Sequence, residues 1–404
     1  MTKISAEVIL KSKNEFGNTI TTMVVTFPRF ILAELNTHRM FSRNSASSRA
    51  IPFKKMIRSV MENPFVPIAW QKEHTGMQGT EYFNDYSDVA ILKEKWLVAR
   101  NRAVASALDL ASGVFDQKEV FEFDENGELI SKQDKVGVTK QLCNRLLEPF
   151  MWHTVIITAT EWENFFALRC PQYQIFDSRG PNTFRSKKDA IKFAPDLLNN
   201  GIKTKPLTEL EWLSLNKGQS EIHMMALAEA MWDAYNEASV QELKAGEWHI
   251  PFGDKINQEA LDNNIESYGP LLRVKIATAR CARISYTVVG EEDKKLIDEI
   301  TQNNIVQGLG HKWETEDYKI KQQKQYQKDI ELHDRLAASG HASPFEHCAK
   351  TMDGNEYATH ISGKCERSVD DPNHLIAFGN TQGWSGNFRG FIQYRKMFPN
   401  ENIV

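Results

Sequence analysis

No apolar run in this 404-residue sequence approaches the roughly 18 residues that a membrane-spanning helix needs. The opening MTKISAEVILKSKNEF carries charge too early and too often for a secretory leader. Cysteine is scarce. Cys143, Cys170, Cys281, Cys348 and Cys365 form no CxxC pair and no Cys/His spacing of a zinc site. An odd, scattered set argues against a disulfide framework and suits a reducing, cytoplasmic setting, and no metal site is expected. There is no basic surplus either: 49 Lys and Arg face 53 Asp and Glu. That balance argues against a general nucleic-acid binder while leaving room for a local basic site. Internal repeats and low-complexity tracts are absent. The remaining composition is that of a folded chain, long enough for one large domain or two ordinary ones.

Periodicity predicts strands over 4–10 and 19–27, turned by the NEFGN segment. Pro28 opens a short helix. Further helices are expected over 53–62, 92–115, 138–152, 160–169, 219–244 and 326–339, the last stopped by Gly340. Thr160 and Glu163 have capping-box spacing, and 219–244 is the longest helical pattern. Residues 71–90 read as loop, 120–135 as a hairpin around Asn126-Gly127, and 270–287 as strand or helix carrying ARCAR. Residues 170–217, rich in Pro, Gly and Asn, read as an inserted lid or subdomain. Residues 353–404 read as an irregular C-terminal extension. The whole, 1–404, is expected to be a single large α/β domain.

Positive charge is concentrated in one place. Thr37–Ala50, THRMFSRNSASSRA, holds four serines, three arginines, a histidine and no acid. Small hydroxyl residues let backbone N–H groups approach a ligand, and arginine forks match phosphate or carboxylate oxygens. The run is therefore a candidate phosphate site, against the plainer reading of a solvated arginine loop with serine turns. A second segment, SGHASPFEH, sets two histidines, a serine and a glutamate on a turn after a helix stop. Its spacing is not that of a zincin, and the plain reading is a structured turn with His347 capping or packing. In a third, NRLLEPFMWHT followed by TEWENFFALR, Trp162, Phe165 and Phe166 read as core. Asn164 and Arg169, five residues apart, share a helix face poorly.

Together these segments resemble the flavin-dependent thymidylate synthases. That family's signature is Arg-His-Arg, seven residues, then Ser; here Thr37-His38-Arg39 is followed by Ser47, with Ser48 and Arg49 in place of the following Gly-Arg. Pro28 and Phe30 match an upstream proline-x-phenylalanine. GHASPFEH (340–347), ENFFALR (163–169), GQSEI (218–222) and ARCARISY (279–286) resemble four further family segments. Their order differs: two segments that open the family's chain lie here near the C-terminus. The resemblance thus implies a circularly permuted fold of the thymidylate synthase-complementing-protein type, with a mixed or antiparallel sheet and helices. It places strand 19–27 beside 339–352. Departures from the pattern are Thr37 for the first Arg, Ser45 for a Glu, Ala50 for a Tyr, and Glu34 for a Gln. Arg43 or Arg29 is the cation expected to offset Glu34.

The resemblance implies reductive methylation of dUMP to dTMP, with methylenetetrahydrofolate as the carbon donor, FAD as cofactor and NADPH as reductant, in a homotetramer and without a cysteine nucleophile. Carried over, Arg169 is the catalytic residue, holding the pyrimidine where negative charge develops. Glu34, Ser47, Ser48, Arg49 and Arg145 join it on the nucleotide. His38, Arg39, Thr158, Thr160, Asn164, His341 and Ser343 contact FAD. Two alternatives stand beside this. One is a flavin-dependent C5 methyl- or hydroxymethyltransferase on another pyrimidine nucleotide such as dCMP. The other is a non-catalytic nucleotide- or RNA-binding relative using the RSKK run at 185–188.

Overall fold

The computed structural model describes residues 3–75, 79–113, 122–123, 129–131, 137–194, 207–262, 269–284, 316–360, 365–367, 375–377 and 382–398. Its centre is a five-stranded mixed sheet. The strands run in the order Ser42–Ser45, Trp152–Ala159, Thr19–Pro28, Ser5–Lys13, Gln241–Glu242. Neighbours are antiparallel except the last pair, where Ser12 and Lys13 run parallel to Gln241 and Glu242. The first hairpin closes as its residues dictate. The Asn14 side chain accepts from the Phe16 and Asn18 amides, and Gly17 takes the left-handed φ of 82°.

The two faces of this sheet have opposite chemistry. Met23, Val25, Phe27, Val155 and Ile157 point to one face and are fully buried against Phe165, Phe166 and the Ile222–Glu237 helix. Burial of each such large side chain contributes about 1.5–3 kcal/mol. Alternation sends Ser12, Thr22, Thr158, Ser42 and Asn44 to the other face, where they are also buried. There the cover is polar. A small sheet of Trp248–His249, Ala349–Thr351 and Phe391–Gln393 lies with the Ser343–Glu346 turn and the Pro270–Arg283 helix. One chain of hydrogen bonds joins the layers. Ser12 Oγ bonds His249 Nδ1 (2.8 Å), His249 Nε2 bonds Thr22 (2.8 Å), Thr22 bonds Thr158 (2.7 Å), and Thr158 bonds His347 Nδ1 (2.8 Å). His347 sits beside strand 19–27 through Thr158, and Ile20 shares a cluster with Ala349, Phe388 and Phe391. The 19–27 and 339–352 segments therefore do lie together.

Several local expectations change. Residues 138–152 are not one helix. Lys140–Cys143 is α-helical and Asn144–Phe150 is a 3-10 turn that contains Pro149, which lacks a donor; a strand follows from Trp152. The 160–169 helix begins only at Glu163. Its cap, Trp162, makes no side-chain capping bond, its Nε1 donating back to the Ala159 carbonyl (3.1 Å), and Thr160 Oγ1 accepts the Arg389 amide instead of capping. Glu221 caps the Ile222–Glu237 helix, so the longest described helix is Tyr86–Ser112, at 27 residues, capped by Asp85 and stopped by Gly113. It takes in the end of the expected 71–90 loop. Residues Pro270–Arg283 are helical, with Pro270 at the start. Among the described residues, no helix is long and apolar enough to cross a membrane.

Residues 173–194 and 207–215 build a unit with its own core of Tyr173, Ile175, Ala190, Ala194 and Trp212. A hairpin, Tyr173–Asp177 with Gly180–Phe184, and the helices Lys187–Phe193 and Glu209–Leu215 form it. Near the C-terminus, Phe388, Phe391 and Gln393 are buried, so that part of 353–404 belongs to the polar cover of the sheet. Glu122–Phe123 pairs with Leu129–Ser131; the Asn126-Gly127 turn, Ser285 and Tyr286 lie outside the described residues.

Candidate functional site

Arg169 is the last residue of the Glu163–Arg169 helix, and its guanidinium gathers groups from two distant parts of the chain. Its Nε donates to His38 Nε2 (3.0 Å), Nη1 to Ser220 Oγ (3.3 Å) and Nη2 to Thr37 Oγ1 (3.5 Å). Glu34 Oε2 lies 3.9 Å from Nη1. Thr37 also donates to the Glu34 carbonyl (2.7 Å), which fixes the end of the preceding short helix. The Phe165 ring meets His38 edge-on at 4.9 Å. The His38 pKa falls to about 4 because of burial first, and then the Arg169 and Arg43 charges. His38 is thus neutral near pH 7, accepts at Nε2 and carries its proton on Nδ1.

Glu34 has a carboxyl pKa raised by burial and by the Glu221 charge, against the pull of Arg169 and His223. Its cation is Arg169, neither Arg43 nor Arg29. Arg43 Nη1 donates to the Leu35 and His38 carbonyls (both 3.1 Å), tying down the end of the turn. Arg29 donates to the His153 ring (2.9 Å to Nε2) and lies 3.5 Å from Glu148. Burial, then Arg29, lowers His153 to about 3.

The expected phosphate cradle has different partners. Ser48 is buried and donates to Glu148 Oε1 (2.7 Å), so a carboxylate already holds this hydroxyl. The Ser47 carbonyl accepts the Ala50 and Ile51 amides and closes the turn. Arg49, Arg145 and Arg39 are exposed, and the Arg145 charge is felt by Arg29. Anion-binding capacity in the Thr37–Ala50 run therefore rests on exposed cations, with Ser48 turned to Glu148.

Among the expected flavin contacts, His38 joins Arg169, while Asn164 is exposed on the outer face of its helix with Leu168. His341 is exposed and bonds Ser339 (2.9 Å). Ser343 donates to Asn44 Oδ1 (3.4 Å), which sets the 343–346 turn against strand 42–45. Thr158 differs: its hydroxyl is buried between Thr22 and His347, engaged on both sides in the interior. Thr160 holds the Arg389 amide. The four cysteines with described side chains are buried. Burial pushes the Cys348 thiol to about 12 and those of Cys170 and Cys281 upward, which keeps these thiols protonated. In the 185–188 run, Arg185 pairs with Glu163, Lys187 with Glu209 and Lys188 with Glu237.

Two features escaped the sequence reading. Ser220, inside the recognised GQSEI segment, is a direct partner of Arg169. His223 shares a 2.6 Å bond with Glu221 and accepts the Ile68 amide at 3.1 Å, placing a fixed imidazole near Glu34. The first turn of the 222–237 helix was the available signal.

No family model and no curated protein matches the sequence. Solved structures do align with it. One is a UMP/dUMP methylase PolB from Streptomyces cacaoi bound with 5-Br UMP, at 13% identity over 55% of this chain and 98% of that chain, TM-score 0.28. Another is the same methylase bound with 5-Br dUMP, at 11% identity over 59% and 91% of the two chains, TM-score 0.29.

Proposed function

We propose that the chain is a flavin-dependent pyrimidine-nucleotide C5 methyltransferase of the thymidylate synthase kind, converting dUMP to dTMP with methylenetetrahydrofolate and NADPH. The observation that carries this reading is the convergence of Arg169 on His38 and Ser220, three groups drawn from three of the segments that resemble the family. Arg169 presents a planar cation whose position is held by His38 and Ser220. It donates to the pyrimidine carbonyl, and to N3 once that nitrogen is ionised, and stabilises negative charge as the ring becomes electron-rich at C5. Neutral His38 fixes the guanidinium by accepting a hydrogen bond without adding a competing positive charge. Exposed Arg49 and Arg145 take the phosphate; Ser48, bonded to Glu148, orders the turn beneath them.

FAD fits the exposed donors Arg39, Asn164, His341 and Ser343, and does not fit buried Thr158. When bound, the flavin supplies the hydride. The raised, buried thiols agree with chemistry that uses no cysteine nucleophile.

Glu34, 3.9 Å from Arg169, favours a second reading: a carboxylate there accepts from an exocyclic amine, as cytosine would offer. The test is an absorbance spectrum of the protein with FAD, then anaerobic titration with dUMP and with dCMP. A flavin shift with dUMP supports the first reading, and one with dCMP alone moves the assignment to cytosine. No flavin binding removes both.

A further inference from the structure

A concavity of about 490 Å³ opens along the strand Ser5–Lys13, under the 243–257 segment and the start of the Pro270–Arg283 helix. None of its lining residues belongs to the Arg169 site. Its size suits a metabolite. Three departures from ordinary structure meet in its wall. The Ser5–Lys13 strand bulges between Val8 and Leu10, leaving Ile9 outside the ladder and facing the cavity. Phe252 has φ of 63°, and among the described residues no other non-glycine side chain lies in the left-handed region. Finally, Arg273 donates through Nη1 to Asn257 (2.9 Å), while its buried Nε has no partner. A bulge and a strained aromatic at one cavity match the pattern of binding sites, where local strain is retained for function.

We propose that this cavity binds a small zwitterion of the α-amino-acid class with an apolar side chain. The Nε edge of a guanidinium is the side that grips a carboxylate with two parallel bonds, and Arg273 leaves Nε unbonded. Charge decides between a carboxylate and a phosphate. Glu7, Glu247 and Asp254 line the cavity against two cations, Lys255 and Arg273. That excess of acid opposes a dianion and supplies acceptors for an ammonium group. Glu247 already accepts the Lys244 amide (2.8 Å), which leaves Glu7 and Asp254 for the ammonium. Trp248, Ile250 and Phe252 give the apolar wall for the side chain.

The test uses the full chain and three probes: L-phenylalanine, L-phenylalaninamide, which lacks the carboxylate, and 3-phenylpropanoate, which lacks the ammonium. Binding is followed by saturation-transfer NMR and calorimetry. L-phenylalanine is expected to bind saturably, each truncated probe at least about tenfold more weakly, and Arg273→Gln to weaken L-phenylalanine at least about tenfold. Glu7→Gln is expected to reduce the advantage of L-phenylalanine over 3-phenylpropanoate. A dUMP titration that is the same in Arg273→Gln and wild type shows an intact fold and a separate site. Binding of L-phenylalanine without any dUMP response supports this site and removes only the nucleotide reading. Absence of saturable L-phenylalanine binding overturns the proposal. So does undiminished binding in Arg273→Gln, or 3-phenylpropanoate binding as tightly as L-phenylalanine.

Discussion

Acid should unlock the polar layer beneath the sheet, and the size of the effect follows from His249 and His347. Both are fully buried. Burial pushes both from 6.5 to about 3, with the neighbouring His347 charge adding to the shift of His249. The folded pKa lies below the unfolded one, so the unfolded chain takes up protons first as pH falls. Stability is full above about pH 6.5 and is lost between there and about pH 3. Within that window each histidine contributes a slope of about 1.4 kcal/mol per pH unit. At pH 5 the loss is about 2 kcal/mol per histidine, hence about 4 kcal/mol for the two. Because His153, lowered to about 3, adds a similar term, the diagnostic quantity is the difference between proteins. Urea denaturation of wild type, His249→Gln and His347→Gln from pH 7.5 to 5.0 supplies it. Each variant is expected to be less stable at pH 7.5, having lost a link to Thr22 or Thr158, but to fall less steeply on acidification. A variant with the wild-type pH slope, or a wild-type midpoint that does not move between pH 7.5 and 5.0, would refute the reasoning.

Three other expectations are simpler to measure. Arg169→Lys keeps the charge but not the planar fork; nucleotide-induced flavin shifts should require at least about tenfold more dUMP, with the melting temperature little changed. Ser48→Ala removes a donor to the Glu148 carboxylate and should cost about 1.5–3 kcal/mol in urea denaturation, whereas a change under 0.5 kcal/mol would mean that the 2.7 Å bond contributes nothing net. Phe252→Gly relieves a left-handed backbone and should raise stability by about 1 kcal/mol or more while weakening L-phenylalanine binding; a loss of stability would show that the ring's packing outweighs the strain.

Local physics explains what was legible in the sequence. Alternation in 19–27 and the Asn14–Asn18 turn specify a hairpin, because the side-chain period of a strand and the left-handed freedom of Gly17 are properties of a few adjacent residues. Phe53–Glu62 and the helix stopped before Gly340 follow from the same short-range rules. The motif segments named Arg169, His38 and the 218–222 segment as residues of interest, since residue type and spacing are written in the chain. Which hydroxyl meets which partner is not. Ser48 and Thr158 look like equally free donors in sequence, yet the turn after strand Ser42–Ser45 carries Ser48 to Glu148, while strand pairing sets Thr158 between Thr22 and His347. Glu34 found Arg169 and not the nearer Arg29 or Arg43 for the same reason: helix and strand geometry turned those two toward Glu148 and toward main-chain carbonyls. The sequence by itself determined the chemical inventory and those elements that short-range rules govern. Only the tertiary structure decided the pairings, because hydrogen bonds and charges act over a few ångströms in space, whatever their separation along the chain.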